Sequence, residues 1–99
     1  MTKRQATREE LAYLERVKNL PCSCCGNSGP CDAHHPRIGQ GTAQRAGHFT
    51  AIALCKDCHQ GTLGIHGDRT MMRIFKVDEM DMIDKTVAGV MRGIFGAQR

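Results

Sequence analysis

Two short stretches hold most of the residues that could do chemistry. "PCSCCG" (residues 21–26) and "LCKDCH" (54–59) each contain a C-x2-C pair. The histidines are His34, His35, His48, His59 and His66. In a C-x2-C pair the backbone turns tightly, so both thiolates face one ion at about 2.3 Å. Cys22 with Cys25 and Cys55 with Cys58 thus supply the four ligands of a structural, tetrahedral zinc site. A C-x-C choice would instead use Cys22 with Cys24. Gly26 argues for Cys25, since a glycine just after the second cysteine can take positive φ and let backbone N–H groups approach the sulfurs. Cys24 and Cys31 are spare, and ordinary small-residue packing explains them better than a second zinc.

The chain has 99 residues, which suits one domain spanning 1–99. A domain this small buries a modest core and often needs a staple, for which six cysteines are suited. The N-terminal "MTKRQATREELAYLERV" is charged and has no apolar signal-peptide core. No apolar run approaches the roughly 20 residues that span a bilayer. The expectation is a cytoplasmic protein with no membrane partner, whose reduced thiols bind metal rather than pair as disulfides. A net charge of +4 fits a nucleic-acid ligand without singling one out. One Tyr and three Phe are too few for base stacking to dominate recognition.

The elements that must position these residues follow from periodicity. Thr7 and Glu10 form a capping box for a helix over 7–19, with Leu11, Leu14 and Val17 at helical spacing. Residues 21–47 read as turns and loop. "HFTAIAL" (48–54) is β-favouring and leads into Cys55; with a short strand at Asp32–His35 it makes a β-hairpin. A helix is expected after Cys58, running through the low 60s and made short or irregular by Gly61, Gly64 and Gly67. Two more follow: 68–76, with Met71, Met72 and Phe75 on one side, and 79–95, capped by Asp78. The second carries an apolar stripe of Ile83, Val87, Val90, Met91 and Ile94. The class is α+β.

Twenty-nine residues separate Cys25 from Cys55, more than the roughly 15 to 20 of a simple two-knuckle module. That insert carries His34-His35. Adjacent strand residues point to opposite faces, so such a pair can place one imidazole on a metal and leave the other beside it as a base. The four cysteines draw this strand and the start of the His59 helix together. Asp32 is placed either to support an imidazole or to cap a turn.

"LPCSCCG", "DAHHPRIGQG" and "AIALCKDCHQGTLGIHG" resemble the HNH (ββα-metal) endonucleases, and among them the phage Ref-like recombination-enhancement nucleases. The resemblance runs from about Leu20 to Gly67, half the chain. It implies a zinc-stapled β-hairpin and helix around one divalent ion, Mg2+ or Mn2+, with flanking N- and C-terminal helices. It also implies His34 and His59 as ligands of that ion and His35 as the general base. His66 is our choice for the remaining ligand; it lies seven residues after His59, near two helical turns, and could alternatively contact phosphate or pack in the core. Many HNH proteins carry an Asn about five residues before the knuckle cysteine; Thr50 stands there, leaving a backbone carbonyl or His48 to orient the base. Arg37, Arg45 and Lys56 are candidate phosphate contacts, with a solvated loop equally able to explain them. The resemblance further implies DNA as substrate, a RecA-type recombinase filament as partner, and a phage or prophage setting. The basic N-terminal extension of some members is expected to be short or missing.

The expected function is therefore metal-dependent hydrolysis of a phosphodiester by a His-activated water. The competing readings are a non-catalytic zinc module that binds DNA or protein, and a purely structural zinc domain. His34-His35 together with His59 separates the first from the others, because a binding module has no use for a free base beside a metal.

Overall fold

Thr7 caps the first helix. Its hydroxyl accepts the Glu10 N–H (3.0 Å) while the Glu10 carboxylate accepts the Thr7 N–H (2.7 Å), and helix α1 follows over Arg8–Lys18. In this computed structural model residues 5–36 and 47–96 are described. Strand β1 (Asp32–His34) and strand β2 (Ile52–Leu54) pair antiparallel, with Asp32 opposite Leu54, Ala33 opposite Ala53 and His34 opposite Ile52. Helix α2 (Lys56–Gln60) starts at once after β2, with Cys55 as its N-cap. Helices α3 (Thr70–Phe75) and α4 (Glu79–Phe95) complete an α+β fold. Asp78 caps α4 with a second reciprocal box: its carboxylate accepts from Asp81 N–H, and Asp81's from its own.

The core lies on β2. Ala51, Ile52, Ala53 and Leu54 are buried, together with Val17 from α1 and Met82, Thr86 and Val90 from α4. Burying β2 this deeply requires partners for its outer main-chain groups. Ala53 finds them on both sides: its N–H donates to the Thr86 hydroxyl (3.2 Å), and its carbonyl accepts from the Ser23 N–H and hydroxyl (2.8 Å each). One alanine thereby joins the last helix to the first cysteine loop.

Three expectations are corrected. Residues 48–50 are a 3-10 turn, not strand; the Thr50 N–H and hydroxyl both donate to the Gly47 carbonyl, bending the chain before β2. The helix at the second cysteine pair begins before Cys58, at Lys56, and stops at Gln60. The buried face of α4 is Met82, Thr86 and Val90; of the expected stripe, Val87, Met91 and Ile94 are exposed and Ile83 packs at the margin. Leu11 of α1 and Phe75 of α3 are likewise exposed.

Candidate metal centres

After α1, Pro21 sets the chain into a knuckle. The Cys22 N–H donates to the Asn27 carbonyl (2.8 Å), and the Gly26 N–H returns to the Cys22 carbonyl (3.0 Å). Gly26 sits at φ +83°, which a side chain would strain. This turn aims the backbone N–H groups of Cys24 and Cys25 at the Cys22 sulfur (3.4 and 3.5 Å). Cys55 and Cys58 enter from the start of α2. The Sγ atoms of Cys22, Cys25, Cys55 and Cys58 all lie within 4.8 Å of one another, with Cys25 and Cys55 at 3.7 Å. Ligands about 2.3 Å from a tetrahedral ion stand about 3.8 Å apart, so the cluster fits a thiolate-bound zinc. Burial alone would raise the Cys22 thiol, but backbone N–H groups from Cys25, Cys55 and Cys24 outweigh it and bring it to about 7. Burial pushes the Cys58 thiol up, and the neighbouring thiols add to that. A bound cation reverses this repulsion, since a coordinating thiol is deprotonated outright.

The spare cysteines belong to neither cluster. The Cys31 thiol donates to the Leu20 carbonyl (3.3 Å), and burial pushes it up to about 11, so it stays protonated. Cys24 is buried behind the knuckle, and burial raises its thiol as well.

The second cluster is imidazole. His34 ends β1, His59 lies in the last turn of α2, and His66 in the turns that follow. Their rings are mutually close: 5.0 Å between centroids for His34 and His59, 5.1 Å for His34 and His66, and 4.8 Å for His59 and His66. One nitrogen from each lies within 4.8 Å of the others. His66 does not arrive by a continued helix. The chain folds back on α2, with the Ile65 N–H donating to the Cys58 carbonyl (2.8 Å) and the His66 N–H to the His59 carbonyl (3.1 Å). Gly64 permits this approach; a Cβ there would stand 2.5 Å from the Asp57 carbonyl oxygen and 2.6 Å from that of Cys58.

Two observations test whether these residues suit a cation. The Nε2 of His34 is buried without a hydrogen-bond partner, a costly state for a nitrogen lone pair or N–H that coordination would relieve. The Nδ1 of His59 lies 2.8 Å from Asp32 Oδ2, which fixes the ring and leaves Nε2 as its ligand atom. A carboxylate behind a histidine is the usual support of a metal-binding imidazole. Burial, with the neighbouring imidazoles adding to it, pulls His34 down to about 4, so it is neutral and able to coordinate at physiological pH. The bond to His59, then the one to Lys56, holds Asp32 below the usual carboxylate range. Three imidazoles suit a first-row transition ion better than the oxygen-seeking Mg2+.

His35 stands apart from this triplet, its Nε2 2.9 Å from the Nδ1 of His48. Lys56 pairs with Asp32 Oδ1 at 2.9 Å, with its own side chain 78% exposed. Arg37 and Arg45 lie outside the described residues. Sequence reasoning did not single out Ser23 or Thr86, the two residues whose hydrogen bonds hold Ala53 of β2; a serine inside a knuckle and a threonine on an apolar face give no local signal of that role.

The described residues thus define a small α+β protein with one four-cysteine and one three-histidine cluster, each drawing a ligand candidate from α2. No helix among them is long and apolar enough to cross a membrane. A family model described as "Protein of unknown function (DUF968)" matches residues 1–72, and the chain belongs to that family. The match contains every residue of both clusters. No curated protein and no solved structure matches the chain.

Proposed function

We propose that the protein is a metal-dependent DNA endonuclease of the HNH type. The observation that carries this reading is the meeting of His34, His59 and His66 on one side of a β1–β2–α2 unit, with His35 next in sequence and outside the triplet. A merely structural domain explains the four cysteines but gives no reason for a second, partly exposed cluster of ligands.

In this reading Cys22, Cys25, Cys55 and Cys58 hold a structural zinc, and His34, His59 and His66 hold a second divalent ion. That ion, when bound, offsets negative charge on the phosphate and the leaving 3′ oxygen. His35 takes a proton from water, as a neutral imidazole can near neutrality. The hydroxide attacks phosphorus as the P–O3′ bond breaks, and the departing 3′ oxygen takes a proton from a solvent water, leaving 5′-phosphate and 3′-hydroxyl ends. Asp32 keeps His59 in the tautomer that presents Nε2.

The test is nicking of supercoiled plasmid by zinc-loaded protein with added Mn2+, Ni2+ or Mg2+. The wild type cuts, and His35→Ala, still folded and zinc-loaded, does not. Equal background cleavage by both proteins would favour a non-catalytic zinc module that binds DNA or protein.

A further inference from the structure

Helix α4 carries two apolar rows, and only one of them is used by the core. Met82, Thr86 and Val90 face inward. In the other row Met80, Val87, Met91 and Ile94 are 36% to 57% exposed, and Ile83 lies at the core margin. At about 100° per residue these five fall within about 80° of arc, a single strip along the helix. Asp81, Asp84 and Arg92 are exposed along one flank of that strip, and Lys85 lies further round the helix. A contiguous exposed apolar patch of this kind, on the order of 400 Å2, marks an interaction surface more often than scattered apolar residues do.

The pattern of the strip says what covers it. Met80, Ile83, Val87, Met91 and Ile94 follow one another at steps of 3, 4, 4 and 3 residues, the same from either end. The centre, Val87, is also the midpoint of Glu79–Phe95. The flanking charges are not symmetric: Asp81 and Asp84 precede the midpoint and Arg92 follows it. Two copies of α4 laid antiparallel about a two-fold axis at Val87 therefore set Met80 against Ile94, Ile83 against Met91, and Val87 against its own copy. In an antiparallel pair each flank meets the same flank of the other helix. Arg92 of each copy then falls beside Asp81 and Asp84 of the other. A parallel pair would leave these charges unmatched and align the two helix dipoles side by side, which is unfavourable.

We propose that the exposed strip of α4 is the contact of a homodimer, in which a second copy of this chain packs antiparallel about a two-fold axis at Val87. Such a contact is isologous, the same surface serving on both sides. The apolar strip supplies adhesion, and the opposed charges at its two ends select a second copy in one orientation. Two strips with their charged flanks approach the roughly 1,200 Å2 at which small specific interfaces begin, so the dimer forms reversibly with concentration.

The test is sedimentation equilibrium of zinc-loaded full chain over a concentration series, and it needs no cleavage activity. The wild type is expected to show a monomer–dimer equilibrium. Val87→Glu sets two like charges against each other on the axis and should raise the dimer Kd more than tenfold. The site is exposed, so zinc content and helical circular dichroism should not change. Asp84→Arg should weaken the dimer several-fold by facing Arg92 of the other copy, and adding Arg92→Asp should restore it. A wild type that stays monomeric throughout overturns the proposal. So does a dimer indifferent to Val87→Glu, which would use another face. A second reversal that fails to restore what the first removed overturns the antiparallel pairing, and this pair of variants decides even if Val87→Glu fails to fold.

Discussion

Asp32 is the sharpest place to perturb the histidine cluster without touching a ligand. Its two oxygens do different work: Oδ2 meets His59 Nδ1 at 2.8 Å, and Oδ1 meets Lys56 Nζ at 2.9 Å. The first contact involves a ring only 13% exposed, the second a side chain 78% exposed. Removing a carboxylate that supports a metal-binding histidine costs about 10- to 100-fold in metal affinity, or about 1.4 to 2.7 kcal/mol. An exposed ion pair is worth about 0 to 1 kcal/mol, at most about fivefold. Asp32→Asn keeps an oxygen able to accept from Nδ1–H but loses the charge, so its loss should fall near tenfold. Asp32→Ala loses the hydrogen bond as well and should approach a hundredfold. Lys56→Ala should stay within about fivefold. Calorimetric titration of Ni2+ or Mn2+ into protein whose cysteine site is already filled with zinc measures all three. The reasoning fails if Asp32→Ala binds as the wild type does, or if Lys56→Ala weakens binding as much as Asp32→Asn.

Other consequences can be checked separately. Cys22→Ser or Cys58→Ser should abolish stoichiometric zinc and cost several kcal/mol of stability, because structural metal binding is coupled to folding; Cys31→Ser should leave the zinc content unchanged, as elemental analysis will read. Thr86→Val keeps the shape of the side chain but strands the buried Ala53 N–H. It should destabilise zinc-loaded protein by about 1 to 3 kcal/mol in urea, with Thr86→Ser closer to wild type. Lys76 ends α3 at φ 57°, a left-handed position that favours glycine. Lys76→Gly should therefore raise stability by about 1 kcal/mol by the same measurement. The three-imidazole donor set should bind Ni2+ or Zn2+ more tightly than Mg2+, and competition calorimetry giving Mg2+ the higher affinity would contradict that donor chemistry.

Sequence spacing was most informative where one local rule governs the geometry. The cysteine pairs read directly, because a C-x2-C turn dictates its own shape, and Gly26 signals the positive φ that the turn adopts. Both capping boxes were legible for the same reason at Thr7, and at Asp78 in part. The return of His66 was not, since it depends on Gly64 lying against the backbone of Asp57 and Cys58, a fit between segments rather than a periodicity. The face of α4 was misread because apolar residues surround much of that helix. The decisive inward residue, Thr86, is polar and serves as an acceptor for Ala53, so a search for apolar spacing passes it by.

The clasp at Ala53 has a consequence for how the molecule may be cut. The family match ends at residue 72, yet the hydroxyl that caps this strand comes from residue 86. A fragment trimmed to the matched length would retain every cysteine and histidine discussed above, but would bare an apolar strand margin with an unanswered amide. Such a margin recruits the same margin of another molecule, so the trimmed piece should self-associate, and its insolubility would say nothing about whether the two clusters bind metal.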